Sequence, residues 1–237
     1  MSVVGLDFGS TNCVIAAAGK GGIDTILNGN SNRLNPNISA FSDKVRGCGE
    51  SAASTYTSNY KNSITGMKRL IGLKFNDPRV TIESKYLPLK LVENPENGGV
   101  AVSVMYEGSP TVVSIEHATG MMISHMSSIA KAANKDVAPQ DWVVAVPPYF
   151  SDQQKRSLLD ACEIVGVNCQ RLFHETTASA LAYGIFKDLK KEFSQTEPTY
   201  VMFIDFGATS MSAQVVQFTK QKLTVMSTQW DEYLGGR

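Results

Sequence analysis

Two stretches of this chain set a carboxylate at the mouth of a turn made of small residues. The first is Val4-Gly5-Leu6-Asp7-Phe8-Gly9-Ser10-Thr11-Asn12, the second Phe203-Ile204-Asp205-Phe206-Gly207-Ala208-Thr209-Ser210. In each, an apolar run ends in Asp, an aromatic residue, Gly, a small residue and Thr. Further apolar runs follow, at 13–18 and 213–218. Strand, small-residue turn, strand reads as a β-hairpin. A turn with little side-chain bulk lets backbone N–H groups approach an anion. The Asp repels phosphate but can hold a hydrated Mg²⁺ that bridges to it, because Mg²⁺ prefers oxygen ligands and keeps its waters. Either stretch alone is an ordinary hairpin with Gly in its turn. Their recurrence in one chain shifts the reading to a triphosphate clamped from two sides. Asp-Phe-Gly with neither a Gly-rich loop nor a His-Arg-Asp loop does not make a protein kinase.

The elements that must position these hairpins alternate. Strands are expected at 3–8, 13–18 and 23–27, with a turn at 19–22. An Asn-rich loop fills 28–37, short strands 38–41 and 45–48, and an Ala/Ser-rich surface helix 50–60. Residues 62–73 contain Gly66-Met67-Lys68-Arg69-Leu70-Ile71-Gly72, a basic stretch in which Lys68 reads locally as a solvated helix charge. The prolines at 78, 88 and 95 make 76–99 irregular with short strands, and 100–106 with 111–113 form a hairpin. A helix starts near Ser114. Its apolar face carries Met122 and Met126 as core filling and His125 as a packed histidine rather than a ligand. Val143 to Val146 is a buried strand, and Ser151-Asp152-Gln153-Gln154 opens a helix as a capping box that Gly166 stops. A strand over 167–173 leads to a helix from Glu175 with Ala178, Leu181, Ala182, Ile185 and Phe186 inside. A charged linker spans 187–198 and a third strand of the second hairpin unit 223–228. Strands and helices in this order imply a mixed α/β sheet whose three-strand unit begins again near residue 199.

Composition sets limits. The 237 residues carry 22 Lys+Arg against 22 Asp+Glu, so no net charge drives binding to nucleic acid or an anionic membrane. The four cysteines, Cys13, Cys48, Cys162 and Cys169, contain no C-x-x-C pair and read as small core residues of a reducing compartment. Neither a signal peptide nor a membrane span is expected, so a cytoplasmic or nuclear site follows. The sequon Asn37-Ile38-Ser39 carries no meaning without secretion.

The chain resembles the nucleotide-binding domain of the heat-shock protein 70 superfamily, which shares the actin/hexokinase (ribonuclease H-like) fold. The resemblance covers all 237 residues. Its markers are Gly5 to Thr11, Lys68 to Gly72, Val144-Ala145-Val146-Pro147, Glu175-Thr176-Thr177-Ala178 with Ala182-Tyr183-Gly184, Ile204-Asp205-Phe206-Gly207, and Leu234-Gly235-Gly236. It implies ATP or ADP with Mg²⁺ as cofactors. It implies Gly9, Ser10, Thr11 and Asn12 as the first phosphate loop, and Gly207, Ala208, Thr209 and Ser210 as the second, with Gly235 and Gly236 also contacting nucleotide. Asp7, Glu175 and Asp205 would hold the metal through water, and Lys68 would sit beside the γ-phosphate. It also implies lobe I over 1–188, with an inserted subdomain at about 37–113, and the start of a truncated lobe II over 189–237.

The departures narrow the resemblance. Where typical members have Gly-Gly-Gly-Thr-Phe-Asp, this chain has Gly207-Ala208-Thr209-Ser210-Met211-Ser212, and Thr176 replaces Pro after Glu175. Ser212 cannot supply the missing negative charge. With Gly21-Gly22-Ile23-Asp24, Lys155-Arg156 and the closing Gly235-Gly236-Arg237, these changes are similar to the heat-shock protein 110 (Sse-type) branch. That branch implies weak ATPase activity at most, nucleotide exchange on heat-shock 70 chaperones, and holding of unfolded polypeptide clients. An ATP-hydrolysing heat-shock 70 chaperone and a catalytically silent ribosome-associated relative are the alternatives. A sugar kinase lacks any matching insertion.

Overall fold

The computed structural model describes residues 3–19, 22–194, 197–220 and 222–237. By packing, the chain divides into two compact units, Met1–Val144 with Ser151–Arg171, and Ala145–Phe150 with Leu172–Arg237.

In the first unit, β1 (Val3–Phe8) and β2 (Asn12–Gly19) form the first hairpin, with Asp7 opposite Val14 and Phe8 opposite Cys13. Val4, Leu6 and Phe8 are buried while Asp7, one residue out of phase, is exposed, as the two-residue period of a strand requires. β3 (Gly22–Thr25) continues the sheet; the turn expected at 19–22 includes Lys20 and Gly21, which lie outside the described residues. The Asn-rich stretch is not all loop. β4 (Asn35–Pro36) pairs with β2 at Asn12 and Cys13.

β5 (Ser39–Phe41), β6 (Arg46–Cys48) and β7 (Ser63–Ile64) make a small sheet in the order β6-β5-β7. The helix expected over 50–60 breaks at Thr55 into α1 (Glu50–Ser54) and α2 (Tyr56–Asn59). Hydroxyls of Ser54, Thr55 and Ser58 donate to carbonyls three residues back, a local alternative to continuous helix. α3 (Met67–Leu70) follows, then α4 (Pro78–Glu83), where irregular chain was expected. Asp77 caps α4 by accepting the Arg79 N–H at 2.9 Å, and Pro78 fills the first helical position, where no N–H is needed. β8 (Leu91–Glu93), β9 (Val100–Tyr106) and β10 (Ser109–Ser114) form an antiparallel sheet. The β9–β10 turn puts Glu107 (φ 51°) and Gly108 (φ 74°) in the left-handed region that a two-residue hairpin loop demands.

α5 (Ile115–Ala133) starts at Ser114, whose Oγ accepts the His117 N–H at 3.1 Å. Met122 and Met126 are fully buried, as core filling. After β11 (Asp141–Val146), both halves of the Ser151–Gln154 capping box open α6 (Asp152–Ile164), and β12 (Cys169–His174) follows. A side chain at Gly120 of α5 would put its Cβ 3.1 Å from the Ala161 carbonyl oxygen, so these two helices pack closely. The central sheet has the order β12-β11-β1-β2-β3, with β4 on β2.

In the second unit, α7 (Glu175–Leu189) packs on a sheet of β13 (Thr199–Phe206), β14 (Met211–Thr219) and β15 (Lys222–Asp231) in the order β13-β14-β15. Its core is Ala180, Val216 and Phe218, packed by Tyr183, Phe193, Val201, Phe203 and Leu223. The inward face of α7 differs from the expected one. Thr176 and Ala180 are buried, whereas Leu181, Ala182, Ile185 and Phe186 are exposed. Gly184 sets this rotation: a Cβ there would lie 2.8 Å from the Phe218 ring, so the glycine face must meet the sheet. Among the described residues, no helix is long and apolar enough to cross a membrane.

Candidate functional site

The candidate residues form two groups, one within each unit. In the first, the turn between β1 and β2 carries Gly9, Ser10 and Thr11, with Asp7 exposed at the end of β1. Gly9 is sterically required. A Cβ there would lie 2.3 Å from the Asn12 carbonyl oxygen, so the turn folds too tightly for any side chain.

Asn37 fixes this turn from outside. Its Nδ2 donates to the Gly9 carbonyl at 2.7 Å, and its backbone N–H donates to the Thr11 carbonyl at 2.8 Å. The side chain is 1% exposed, and its Oδ1 is buried without a hydrogen-bond partner among the described residues. Asn35 supports the same edge by donating from Nδ2 to the Cys13 carbonyl at 3.4 Å. In the sequence both fall within the Asn-rich stretch expected as a loop over 28–37. The sequon marked Asn37 for an unrelated reason, and a buried side chain is no glycosylation acceptor.

Lys68 is buried at 6% exposure, not solvated. Its charge and that of Asp7 both act on Cys13, next to the turn. Burial raises the Cys13 thiol far above its ordinary range, Asp7 raises it further, and Lys68 with the Gly9 backbone opposes them. The strip that carries Lys68 is seated by backbone contact: a Cβ at Gly72 (φ 69°) would fall 2.6 Å from Gln154 Cα, at the start of α6. Beside it, Arg69 Nε donates to Glu83 Oε1 at 2.9 Å, with side chains 3% and 1% exposed. This ion pair ties α3 to α4 and was not read from the sequence.

In the second unit, β13 and β14 bring Asp205 opposite Ser212 and Phe206 opposite Met211, and the Gly207 N–H closes the loop on the Ser210 carbonyl at 2.9 Å. This loop is less demanding than the first. A Cβ at Gly207 would meet the Ser210 oxygen at 3.4 Å, an ordinary contact, and neither Ala208 nor Thr209 takes a left-handed φ. Gly235 and Gly236 brace it. Gly236 N–H donates to the Gly207 carbonyl at 3.0 Å and Arg237 N–H to the Ala208 carbonyl at 3.0 Å. A Cβ at Gly235 would lie 2.6 Å from the Ala208 oxygen and from Thr209 Cα. Asp231 Oδ1 shapes the approach by accepting the N–H groups of Tyr233 and Leu234 at 2.8 and 3.1 Å. Tyr149 Oη bonds Ser210 Oγ at 3.1 Å.

Glu175 is the first residue of α7, where a carboxylate favours the helix dipole. That turn is anchored to β14 by Gln214, whose Nε2 donates to Thr177 Oγ1 at 3.2 Å and Thr228 Oγ1 at 3.1 Å. Ser212 is buried two residues along the same strand face, and Asp205 is exposed. Thr176 Oγ1 is buried without a hydrogen-bond partner among the described residues.

The model for the family described as Hsp70 protein matches residues 3–237. The chain belongs to this family. Its mixed α/β architecture is that of the Hsp70 actin/hexokinase-like nucleotide-binding domain. This Hsp70-family chain is 42% identical to Heat shock 70 kDa protein 14 of Arabidopsis thaliana, over 100% of its own length and 28% of the relative's. It is 41% identical to Heat shock 70 kDa protein 4L of Homo sapiens, again over 100% of its length and 28% of the relative's. With Heat shock protein 88 of Dictyostelium discoideum it shares 41% identity over 99% of its length and 30% of the relative's. These relatives are heat-shock 110 and heat-shock 70-related members of the superfamily, and the chain spans less than a third of their length.

Proposed function

We propose that this chain is the nucleotide-binding portion of a heat-shock 110-type co-chaperone. It binds ATP or ADP with Mg²⁺, exchanges nucleotide on heat-shock 70 partners, and belongs to a protein that holds unfolded polypeptides in the cytoplasm or nucleus. The observation that carries the reading is the inequality of the two loops. The first is locked by Gly9 and Asn37. The second tolerates side chains at 208 and 209, and has a buried serine, Ser212, where a charged residue would serve hydrolysis.

The residues fit the implied cofactor. The tight Gly9 turn is a cradle that a side chain would fill, and small polar residues surround it. Asp7, Glu175 and Asp205 would hold Mg²⁺ through its waters, and the bound ion neutralises phosphate charge. Gly9 to Asn12 and Gly207 to Ser210 present backbone N–H groups and short side chains to the phosphates, and Lys68 offsets charge at the γ-phosphate. Gly235 and Gly236 hold the second loop in shape. We assign lobe I to 1–188 and the start of lobe II to 189–237. ATP acts here as a structural ligand that favours the closed form of the domain because it binds that form better. A second reading, a working ATPase chaperone, rests on Asp7, Lys68, Glu175 and Asp205 all being present.

The deciding experiment measures nucleotide release from a heat-shock 70 partner by the full-length protein. Gly9→Asp should abolish exchange, because the side chain overlaps the turn and repels phosphate. Lys68→Met should leave exchange largely intact. Loss of exchange in Lys68→Met with normal ATP binding would transfer the assignment to the hydrolysing chaperone.

A further inference from the structure

The Asn-rich stretch before β4 folds around one carboxylate. Asn28 Oδ1 accepts the N–H groups of Asn30 and Asn32 at 3.0 Å each. The Ser31 N–H donates to the Asn28 carbonyl at 2.9 Å, and Ser31 takes a left-handed φ of 61° to close the turn. The closed turn sends three side-chain amides to Glu50 of α1: Asn28 Nδ2 at 3.0 Å, Asn32 Nδ2 at 2.7 Å, and Asn30 Nδ2. These amides, Asn32 foremost and then Asn30 and Asn28, hold the Glu50 carboxyl below its ordinary range. It is therefore ionised at neutral pH. Its partners are neutral, and among the described residues no lysine or arginine pairs with it.

Glu50 borders an open cavity of about 420 Å³ within the first unit, between this turn, α1 and α5. Acceptors dominate its lining. Ser51 Oγ donates to the Cys48 carbonyl at 3.0 Å and Ser54 Oγ to the Ser51 carbonyl at 2.9 Å, so each hydroxyl has only lone pairs left to offer. α5 contributes His125 and Ile129. His125 packs here because residue 49 is glycine: a Cβ there would lie 2.6 Å from its Nε2. Burial lowers the His125 pKa, so at neutral pH the ring is uncharged and one nitrogen remains an acceptor. The Cys48 thiol, raised by burial, is uncharged as well. Glu50 is thus the one charge among the described lining residues.

We propose that this cavity is a binding site for a guanidinium group, carried by an arginine side chain or by a small alkylguanidine. An ionised carboxylate without a cation, surrounded by acceptors and flanked by a ring and an isoleucine, suits a flat cation with many donors. Guanidinium presents five N–H donors in one plane, whereas an ammonium presents three and is more strongly hydrated. A carboxylate has about four acceptor positions, so the three amides leave Glu50 room for a further donor. The guanidinium face stacks on a ring such as the His125 imidazole. The turn is already closed by its own hydrogen bonds, so binding requires little further ordering.

The cavity is also joined to the first loop. Asn28 Nδ2 donates to Asn35 Oδ1 at 3.2 Å, and Asn35 Nδ2 donates to the Cys13 carbonyl at 3.4 Å, one residue past Asn12. A ligand that steadies Asn28 steadies this strand edge with it.

The test is calorimetric titration of the full-length protein with three probes: Nα-acetyl-arginine amide, butylguanidinium, and Nα-acetyl-citrulline amide as the neutral isostere. The two guanidinium probes should bind at a single site and the citrulline probe should not. Equal affinity of the two would show that a small free guanidinium compound suffices, and tighter binding of the capped arginine would point to a polypeptide source; either result supports the site. Glu50→Gln should weaken both by about tenfold or more, the loss of one charge-assisted hydrogen bond. Ser54→Arg keeps Glu50 and its three amide bonds and tethers a guanidinium at the cavity. It should block both probes while leaving the unfolding temperature unchanged. Hydrogen exchange with capped arginine bound should slow across 28–35 and 50–54 and stay unchanged in the second unit. The proposal is overturned if the citrulline probe binds as well as the arginine probe, or if neither guanidinium binds. It is equally overturned if both probes keep their affinity in Glu50→Gln and Ser54→Arg, or if exchange slows only outside these segments.

Discussion

Replacing the two loop glycines by alanine should give opposite results, although the loops read alike in sequence. At Gly9 the new methyl carbon would stand 2.3 Å from the Asn12 carbonyl oxygen, and at Gly207 it would stand 3.4 Å from the Ser210 oxygen. The first distance is more than an ångström inside van der Waals contact, and the opposing atom is backbone that cannot swing aside. Relief requires opening the turn and stretching the Asn37 bond to Gly9. Overpacking of this kind costs about 1–3 kcal/mol. In a chain of this size that lowers Tm by about 2–4 °C per kcal/mol. The Gly207 methyl makes only an ordinary contact, so Gly207→Ala should change stability by less than about 0.5 kcal/mol. Paired thermal and urea unfolding of both variants reads the difference, and calorimetric titration with MgATP of the full-length protein reads its effect on binding. Equal stability of the two variants, or a larger loss for Gly207→Ala, would refute the claim that the first loop is the rigid one.

Glu83→Ala removes the carboxylate paired with buried Arg69 and should cost about 3–5 kcal/mol in urea unfolding. Asn37→Ala removes the donor to Gly9 and should cost about 1–2 kcal/mol, with faster amide exchange across residues 9–12. Thr176→Val removes a buried hydroxyl that has no hydrogen-bond partner among the described residues, at nearly constant shape, so unfolding should show no loss or a gain of up to about 1 kcal/mol. His125 is lowered by burial. Its folded pKa lies below the unfolded value of about 6.5, so the unfolded chain binds the extra proton first and stability falls as pH drops below about 6.5. His125→Gln should flatten that part of the stability–pH curve.

Local sequence determined the elements whose signals are local. The hairpin turns at Gly9 and Gly207, the Ser114 cap and the Ser151–Gln154 capping box each depend on residues within a few positions, and all are present in the fold. The Asp77-Pro78 start of α4 was equally legible, but the surrounding prolines masked it. The family, too, was carried by motifs in their order along the chain, and the match over 3–237 agrees. Contacts between distant segments decided the rest. Lys68 reads as a solvated helix charge until the fold buries it near Asp7 and Cys13. The inward face of α7 follows from Gly184 meeting Phe218, which no helical period announces. Asn37 becomes the clamp of the first loop only because β4 lies alongside β2. A hydrogen bond or a steric contact acts over a few ångströms in space, and sequence spacing encodes that distance only within a single element. For these residues, packing between elements supplied the environment that assigns each its role.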